Sequence, residues 1–242
     1  MITGAAQGIG LAIATVFAEE GAGLLLLDRN GDGLDAAVPG LDKAGDGAIE
    51  CAVVDVGVKA EVVDAVSRAE RSLGPIDILV NNAGIWVIKP FLDNTDEDFH
   101  RTITTNLYGT WYCMKAVLPG MVERRHGHVV NLASAAAFGY TVPHSPYAAS
   151  KAAVAALTRD VAFEVAEYGV RVNAIAPGGG VHRGGERVLP SKSRPMGMAD
   201  ASDIASVVRF LCSDDSRFIT GVTVPVAGGA DLAIGLGWTA GG

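Results

Sequence analysis

Short, mostly apolar runs alternate along the chain with longer segments in which apolar residues recur every three or four positions. The runs occupy residues 24–27, 52–54, 76–80, 129–132, 170–176 and 222–226. Segment 61–73 shows the second pattern, with charged residues on its other face, and predicts an amphipathic helix. Apolar strands separated by helices predict a parallel sheet that is covered on both faces. Right-handed crossovers would make this a doubly wound α/β sheet.

The chain is predicted to form a single domain over residues 1–242. It contains no internal repeat, no low-complexity segment and no interdomain linker. In a doubly wound sheet, ligands bind outside the carboxyl ends of the strands. The Gly- and Pro-rich stretch 177–197 is interpreted as one long loop, and loops of this length are usually functional or disordered.

Composition excludes several classes of protein. Of the 242 residues, 49% are apolar and 19% are charged, which fits one domain with a full core. The net charge of −8 offers no attraction to nucleic acid or to an anionic membrane, and we expect neither as a partner. No apolar run is long enough to span a membrane, and no signal peptide is visible. The three cysteines show neither metal-ligand spacing nor a disulfide framework, so a reducing, cytoplasmic setting is expected.

The first ten residues contain three glycines spaced as in a nucleotide-binding turn. The stretch TGAAQGIG at 3–10 places Gly4, Gly8 and Gly10 directly before a helical pattern. Glycines allow a tight turn and a close approach of the backbone to a pyrophosphate, which the N–H groups of the helix N-terminus then bind. An isolated triplet also occurs in ordinary strand-to-helix turns, so its meaning depends on its context.

Asp28 provides that context. It ends the second predicted strand, 18 residues after Gly10. An acid about 20 residues beyond the turn can accept hydrogen bonds from the adenine ribose diol, and its charge repels a 2′-phosphate. This favours NAD over NADP, although Arg29 next to it would weaken the preference. The alternative interpretation of Asp28 is a strand-end cap.

A second motif places a lysine four residues after a tyrosine. In YAASK, Tyr147 and Lys151 would share one face of a helix. A nearby ammonium favours the phenolate and lowers the pKa of a tyrosine from its ordinary value of about 10. Such a tyrosine could act as a general acid or base, although the spacing alone is common in proteins.

Taken together, the motifs resemble the short-chain dehydrogenase/reductase family, in its single-domain form with a Rossmann-type sheet. They are TGAAQGIG at 3–10, Asp55-Val56, NNAG at 81–84, Asn106, Ser134, YAASK at 147–151 and Pro177-Gly178. The match extends from Thr3 to about Gly229, and Ser134 precedes Tyr147 by 13 residues, as in that family.

This resemblance implies an oxidoreductase that transfers a hydride between NAD and a secondary alcohol or ketone, without a metal. Tyr147 would exchange a proton with the substrate oxygen, and Ser134 would position that oxygen. Lys151 would hold the nicotinamide ribose and lower the pKa of Tyr147, while Asn106 would anchor a proton-relaying water chain. The implied cofactor-binding residues are Gly4, Gln7, Gly8, Ile9, Gly10, Asp28, Asp55, Val56, Asn82, Ala83, Gly84, Tyr147, Lys151, Pro177 and Gly178.

The chain departs from the family pattern at three places. Only Met1 and Ile2 precede the turn, so we expect either a truncated or misassigned start or a shortened strand that still pairs. No threonine follows Pro177-Gly178, and the predicted substrate lid at about 178–200 is short. Ala227 stands where relatives often have an aspartate, and we expect little consequence.

Several residues keep a second interpretation. Asn106 could cap a helix, Ser134 could be an ordinary strand-end serine, and Trp86 could line the substrate cleft or simply pack. The histidines interpreted as loop-supporting or solvated rather than catalytic are His128, His144 and His182.

Alternative functions also stay open. Two alternatives lie within the family, a 3-oxoacyl-thioester reductase and a cis-dihydrodiol dehydrogenase. An alternative of another class is a catalytically weak, cofactor-binding regulatory protein. The short first strand and the altered lid favour the regulator, whereas the intact Ser134, Tyr147 and Lys151 favour an enzyme. The largely apolar helical segments 107–121 and 147–165, together with the resemblance, predict a homo-oligomer, either a dimer or a tetramer.

Overall fold

Strands and helices alternate along the chain. The computed structural model describes residues 1–42, 44–139, 143–178, 191 and 195–232. The strands are β1 (Ile2–Thr3), β2 (Leu24–Asp28), β3 (Ile49–Val53), β4 (Ile78–Asn81), β5 (Gly127–Leu132), β6 (Val170–Pro177) and β7 (Thr223–Val226). The helices are α1 (Gly8–Glu19), α2 (Gly31–Leu41), α3 (Lys59–Ser72), α4 (Asp96–Ile103), α5 (Gly109–Arg124), α6 (Ser145–Val165) and α7 (Ala201–Cys212).

Within these described ranges the strands form one seven-stranded parallel sheet. Its order is β3-β2-β1-β4-β5-β6-β7, with the direction of winding reversing between β1 and β4. Helices α1, α2 and α7 cover one face, and α3, α5 and α6 cover the other. The predicted fold class, a Rossmann-type doubly wound sheet, is confirmed.

The first strand has two residues and still pairs with both neighbours. Ile2 is in register with Leu26 of β2 and with Val80 of β4. The Val80 N–H donates a hydrogen bond of 2.9 Å to the Met1 carbonyl. The short strand therefore keeps its place in the sheet, as one of the two expectations for this segment requires.

An apolar layer lies on each face of the sheet. Ile13 of α1 and Ile204 of α7 pack in the same layer as Leu26, whereas Val66 of α3 and Met114 of α5 pack in the opposite layer. Burial of one such side chain stabilises the fold by about 1.5–3 kcal/mol. The two layers hold the central strands rigidly, so the loops at their carboxyl ends start from fixed positions.

Element boundaries shift little from the sequence prediction, except at β3. The apolar run 52–54 predicts that strand, but its register with β2 extends from Ile49 to Val53. β3 lies at the edge of the sheet and is only partly buried. An edge strand therefore carries a weaker apolar pattern than a central one.

Two expectations fall outside the described residues. The predicted lid at 178–200 includes 179–190 and 192–194, and the solvated histidine His182 lies in the first of these stretches.

Candidate active site

The turn after β1 requires glycine at two positions. Gly4 has a φ of +65°, in the left-handed region, and a Cβ there would lie 2.9 Å from the Ala83 Cα. A Cβ on Gly10 would lie 2.1 Å from the Gly4 carbonyl oxygen. Backbone segments therefore meet here more closely than any side chain allows, as a turn that cradles a pyrophosphate requires.

The N-terminus of α1 follows this turn. Gly8 and Ile9 open the helix, and the N-cap residue Gln7 makes no capping hydrogen bond with its side chain. The first N–H groups of a helix have no partner within the helix and carry a partial positive charge. An anion fits this end of α1, and the turn is therefore suited to the phosphates of a dinucleotide.

Thr3 and Asn82 fix the turn to the end of β4. The Thr3 hydroxyl accepts hydrogen bonds from the N–H groups of Asn82 and Ala83, at 3.0 and 2.9 Å. The Asn82 side-chain amide donates to the carbonyls of Thr3 and Gly4, both at 2.9 Å. Asn82 and Ala83, which the sequence predicts to bind the cofactor, therefore support the glycine turn directly.

The Asp28 carboxylate lies against the same turn. It accepts hydrogen bonds from the N–H groups of Ala6 and Asn30, both at 3.0 Å. The strand-end cap that the sequence left open is therefore present. These bonds also fix a negative charge beside the glycine turn, so the cap and a ribose-binding role are compatible.

Asp55 and Val56 have different environments. Asp55 is exposed, and its carboxylate accepts a 2.8 Å hydrogen bond from the Gly57 N–H. The Val56 side chain is buried and packs against the start of α5, where a Cβ on Gly109 would lie 2.6 Å from it. Of this pair, only Asp55 has an exposed side chain.

Asn106 connects the end of β4 to α6. It lies in a π-helical turn, Thr104–Tyr108, between α4 and α5, so the helix-cap interpretation is wrong. Its side-chain oxygen accepts from the Ile85 N–H at 2.8 Å. Its amide group donates to the Ile85 carbonyl at 3.0 Å and to the Ser150 hydroxyl at 2.9 Å. The Ser150 hydroxyl donates in turn to the Tyr147 carbonyl at 2.7 Å, which ties Asn106 to the first turn of α6.

Ser134, Tyr147 and Lys151 come together between β5 and α6. Ser134 lies close enough to Tyr147 for its hydroxyl to act on the pKa of the phenol as a hydrogen-bonding group. The Lys151 Nζ lies 5.7 Å from the centre of the Tyr147 ring and donates a 2.5 Å hydrogen bond to the Leu132 carbonyl. A Cβ on Gly84 would lie 3.5 Å from this Nζ, so NNAG borders the lysine.

Pro177 ends β6 beside the same site, and Gly178 follows it. A Cβ on Gly178 would lie 2.7 Å from the Ala227 Cβ and 2.8 Å from the Ala135 Cβ. Gly178 therefore fills a gap between the loop after Ser134 and the end of β7 that no larger residue could occupy. The carboxyl ends of β1, β4, β5 and β6 thus meet around one site, as the parallel order predicts.

Comparison with known proteins identifies the family. Residues 4–231 match a family model described as Enoyl-(Acyl carrier protein) reductase. A solved short-chain type dehydrogenase/reductase from Mycobacterium ulcerans is 30% identical and superposes with a TM-score of 0.89, over 95% of this chain and 88% of that one. The chain belongs to the short-chain dehydrogenase/reductase family.

Other members of this family that resemble the chain differ in their activities. The oxidoreductase UcpA of Salmonella typhimurium is 38% identical, over 96% of this chain and 94% of that protein. The (2S)-[(R)-hydroxy(phenyl)methyl]succinyl-CoA dehydrogenase subunit BbsD of Thauera aromatica is also 38% identical, over 97% of each chain. The solved NAD+-bound xylitol dehydrogenase is 36% identical with a TM-score of 0.87, over 94% of this chain and 96% of that one.

The electrostatics of this dehydrogenase/reductase site differ from the sequence expectation. Burial raises the pKa of Tyr147 above its ordinary value, and the hydrogen bond from Ser134 only partly opposes this. Burial also lowers the pKa of Lys151 to about 8. The lowering expected from Lys151 stays a prediction, since the net shift of the Tyr147 pKa is dominated by desolvation of the phenolate and the ammonium is bonded to the Leu132 carbonyl.

Trp86 and His144 stand beside the tyrosine. The Trp86 Nε1 donates a 3.3 Å hydrogen bond to the His144 Nδ1, and the Trp86 and Tyr147 ring centres are 6.1 Å apart. Trp86 therefore lines the site, and its contact with His144 agrees with the loop-supporting role expected for that histidine. His128 is the second residue of β5, at the amino end of that strand and away from the site, where burial lowers its pKa to about 4.

Sequence reasoning missed Thr3 and Ser150 as individual residues. Both lie inside recognised motifs, TGAAQGIG and YAASK, but their hydrogen-bond partners are distant in sequence and could not be read from it. Within the described ranges no cluster of three or more His, Cys, Asp or Glu could hold a metal ion. In the same part of the chain no helix is long and apolar enough to cross a membrane.

Proposed function

We propose that the protein transfers a hydride between NAD and a secondary alcohol or ketone, with Tyr147 as the general acid and base. One observation carries this proposal: Ser134, Tyr147 and the buried ammonium of Lys151 lie next to one another. A non-catalytic protein has no use for a phenol and an ammonium buried together, because both groups are costly to desolvate.

Each side chain has a role that follows from its position. Tyr147 holds the proton that the substrate oxygen gains or loses, and the Ser134 hydroxyl donates a hydrogen bond to that oxygen. Lys151 lies within reach of both Tyr147 and NNAG, so its charge favours the phenolate and its N–H groups meet the nicotinamide ribose. Asn106 holds the first turn of α6 in place through Ser150. NAD, when bound, supplies the hydride acceptor or donor.

The glycine turn and Asp28 support NAD as the cofactor. The turn and the N-terminus of α1 would hold the pyrophosphate, and Asp28 would accept hydrogen bonds from the adenine ribose. Asn82, Ala83 and Gly84 would border the adenosine side, and Pro177 and Gly178 the nicotinamide. The carboxylate of Asp28 repels a 2′-phosphate, so NADP should bind more weakly. Xylitol dehydrogenase, a similar protein, was solved with NAD+ bound.

Two related activities are the alternatives. The 3-oxoacyl-[acyl-carrier-protein] reductase FabG of Thermotoga maritima is 34% identical over 95% of this chain, which keeps reduction of a 3-oxoacyl thioester open. A 1,6-dihydroxycyclohexa-2,4-diene-1-carboxylate dehydrogenase of Acinetobacter baylyi is 35% identical over 95% of this chain, which keeps a dihydrodiol open. The first reduces a ketone with hydride from the nicotinamide and the second oxidises an alcohol by passing hydride to it, and the same three side chains would serve the proton transfer in either direction.

Self-association is part of the proposal. Tyr108 and Trp111, at and near the start of α5, and Phe163 on α6 are all exposed in the single chain. These residues lie on the helices that the sequence predicts to be apolar on more than one side. A second copy covering both helices would remove this apolar surface from water. Sedimentation should then give a multiple of 24.9 kDa.

Thermal unfolding with each nucleotide, followed by turnover, tests the function. Ligand at 100 times its Kd should stabilise the fold by about 2.7 kcal/mol, and we expect this with NAD at a lower concentration than with NADP. NAD reduction should follow with a panel of secondary alcohols, and Tyr147→Phe should abolish it. Tyr168→Phe, near the amino end of β6, is the matched control. A shift with NAD but no turnover of any substrate would favour the regulatory alternative.

A further inference from the structure

Three aromatic rings meet at the mouth of the proposed site. The Trp86, His144 and Tyr147 ring centres lie 5.5 to 6.3 Å from one another. The backbone joins the same segments, since the Lys89 N–H donates to the Pro143 carbonyl at 2.9 Å. The position of Trp86 is therefore fixed relative to the tyrosine that would exchange the proton.

Trp86 is exposed although its polar atom is satisfied. Its indole N–H is bonded to His144, which is buried, and yet 54% of the tryptophan surface is open to solvent. The exposed part is thus mainly the apolar ring. A large aromatic face left open beside polar catalytic groups is typical of a ligand pocket, where apolar walls surround a few polar atoms.

The surroundings of Trp86 are apolar as well. Ile88, two residues further along, and Phe138, four residues after Ser134, are 52% and 60% exposed. Lys89 is the one charged side chain in the stretch 84–91, and its ammonium is bonded to the Asp98 carboxylate at 2.5 Å. The two segments that lead away from NNAG and from Ser134 therefore offer apolar surface rather than free charge.

We propose that Trp86, held by His144, is a specificity-determining residue that stacks on a flat ring carried by the substrate next to its reacting carbon. The inference rests on the proposed function and adds the substrate class, aryl or flat unsaturated cyclic secondary alcohols and ketones. The Trp86 and Tyr147 rings are inclined by 42°, so they form two sides of a wedge. A planar ring can contact the indole face while the oxygen beside it reaches Tyr147, and offset stacking favours that arrangement.

The test compares two alcohols that differ in the flatness of one ring. We would measure kcat/KM with NAD for 1-phenylethanol and for 1-cyclohexylethanol, in the wild type and in two variants. The wild type should prefer the phenyl compound by about tenfold or more. Trp86→Ala should lower this preference about tenfold, whereas Trp86→Phe should retain most of it, because an aromatic face remains.

Phe218→Ala is the matched control. Phe218 is fully exposed and precedes the amino end of β7, whereas the site lies at the carboxyl ends of the strands. Its loss should leave the preference unchanged, and the melting temperature of each variant shows whether it is folded. If the wild type and folded Trp86→Ala prefer the phenyl compound equally, this inference is overturned and the proposed function is not affected. Failure of the wild type to oxidise any alcohol of the panel, although it binds NAD, would overturn the proposed function and this inference with it.

Discussion

Replacing Lys151 by methionine tests whether a charged ammonium is buried at the site. Lys151 is 4% exposed, and its Nζ bonds to the Leu132 carbonyl. Methionine keeps most of the length and the apolar stem of lysine but removes the charge. The variant should lose activity, and its stability should depend on pH differently from that of the wild type.

The size and sign of the effect follow from the pKa of Lys151. Burial lowers this pKa from 10.5 to about 8. Since one pKa unit corresponds to about 1.4 kcal/mol, the buried ammonium disfavours folding by about 3 kcal/mol at neutral pH. The folded pKa is the lower one, so the penalty is complete below about pH 8 and disappears as the pH rises towards 10.5. The wild type should therefore gain about 2–3 kcal/mol relative to Lys151→Met between pH 7 and pH 10.

A second contribution to the stability difference between the wild type and Lys151→Met does not depend on pH. The methionine leaves the Leu132 carbonyl without its donor, which costs about 1–3 kcal/mol. At pH 7 this loss and the relief of the charge penalty nearly cancel, so the two proteins should have similar stabilities there. At pH 10 the wild type should be the more stable one.

Urea unfolding of both proteins at pH 7, 8, 9 and 10 measures the difference. Effects of pH on other groups are common to the pair and cancel in the subtraction. Lys115→Met, at an exposed position of α5, reports any general effect of removing a lysine. A difference between wild type and Lys151→Met that stays constant from pH 7 to pH 10 would refute the reasoning.

Three further substitutions probe the backbone of the site. Gly10→Ala places a Cβ 2.1 Å from the Gly4 carbonyl oxygen, so the thermal shift with NAD should disappear. Gly178→Ala brings a Cβ to 2.7 Å from that of Ala227, and overpacking should lower the free energy of unfolding by about 1–3 kcal/mol in urea titrations. Thr3→Val removes the acceptor of two backbone N–H groups, and we expect a loss of about 2–4 kcal/mol in the same assay. An unchanged unfolding midpoint in either of the last two variants would contradict the packing described here.

The fold could be predicted because its determinants are local and repeated. Each apolar run such as 24–27 or 170–176 is buried on both faces of the sheet, and that burial is what the pattern records. The edge strand β3 is the exception, since it is only partly buried and its register depends on β2. The doubly wound order then follows from the handedness of the connections rather than from any one residue.

Only those parts of the site that lie in recognisable sequence motifs could be predicted. Ser134, Tyr147 and Lys151 come together as expected, because two lie on one helix and the third follows the end of the strand beside it by two residues. The π-helical turn around Asn106 has no recognisable sequence pattern, because the Asn106 side chain forms its hydrogen bonds with Ile85 and Ser150, which are distant in sequence. The pKa of Tyr147 was also out of reach, because it depends on burial and on where the Lys151 ammonium points.

The burial of Lys151 lowers the stability of the fold at this site. A buried ammonium lowers stability, and an apolar residue of similar size would avoid that penalty. The same is true of Asn106, which is fully buried and needs partners for both of its polar atoms, from Ile85 just after NNAG and from Ser150 of α6. Groups of this kind are expected where function, rather than stability, determines the residue. If the pH-dependent difference of Lys151→Met is found, the protein is maintaining a destabilising charge next to Tyr147, and proton transfer at Tyr147 is the role that accounts for it.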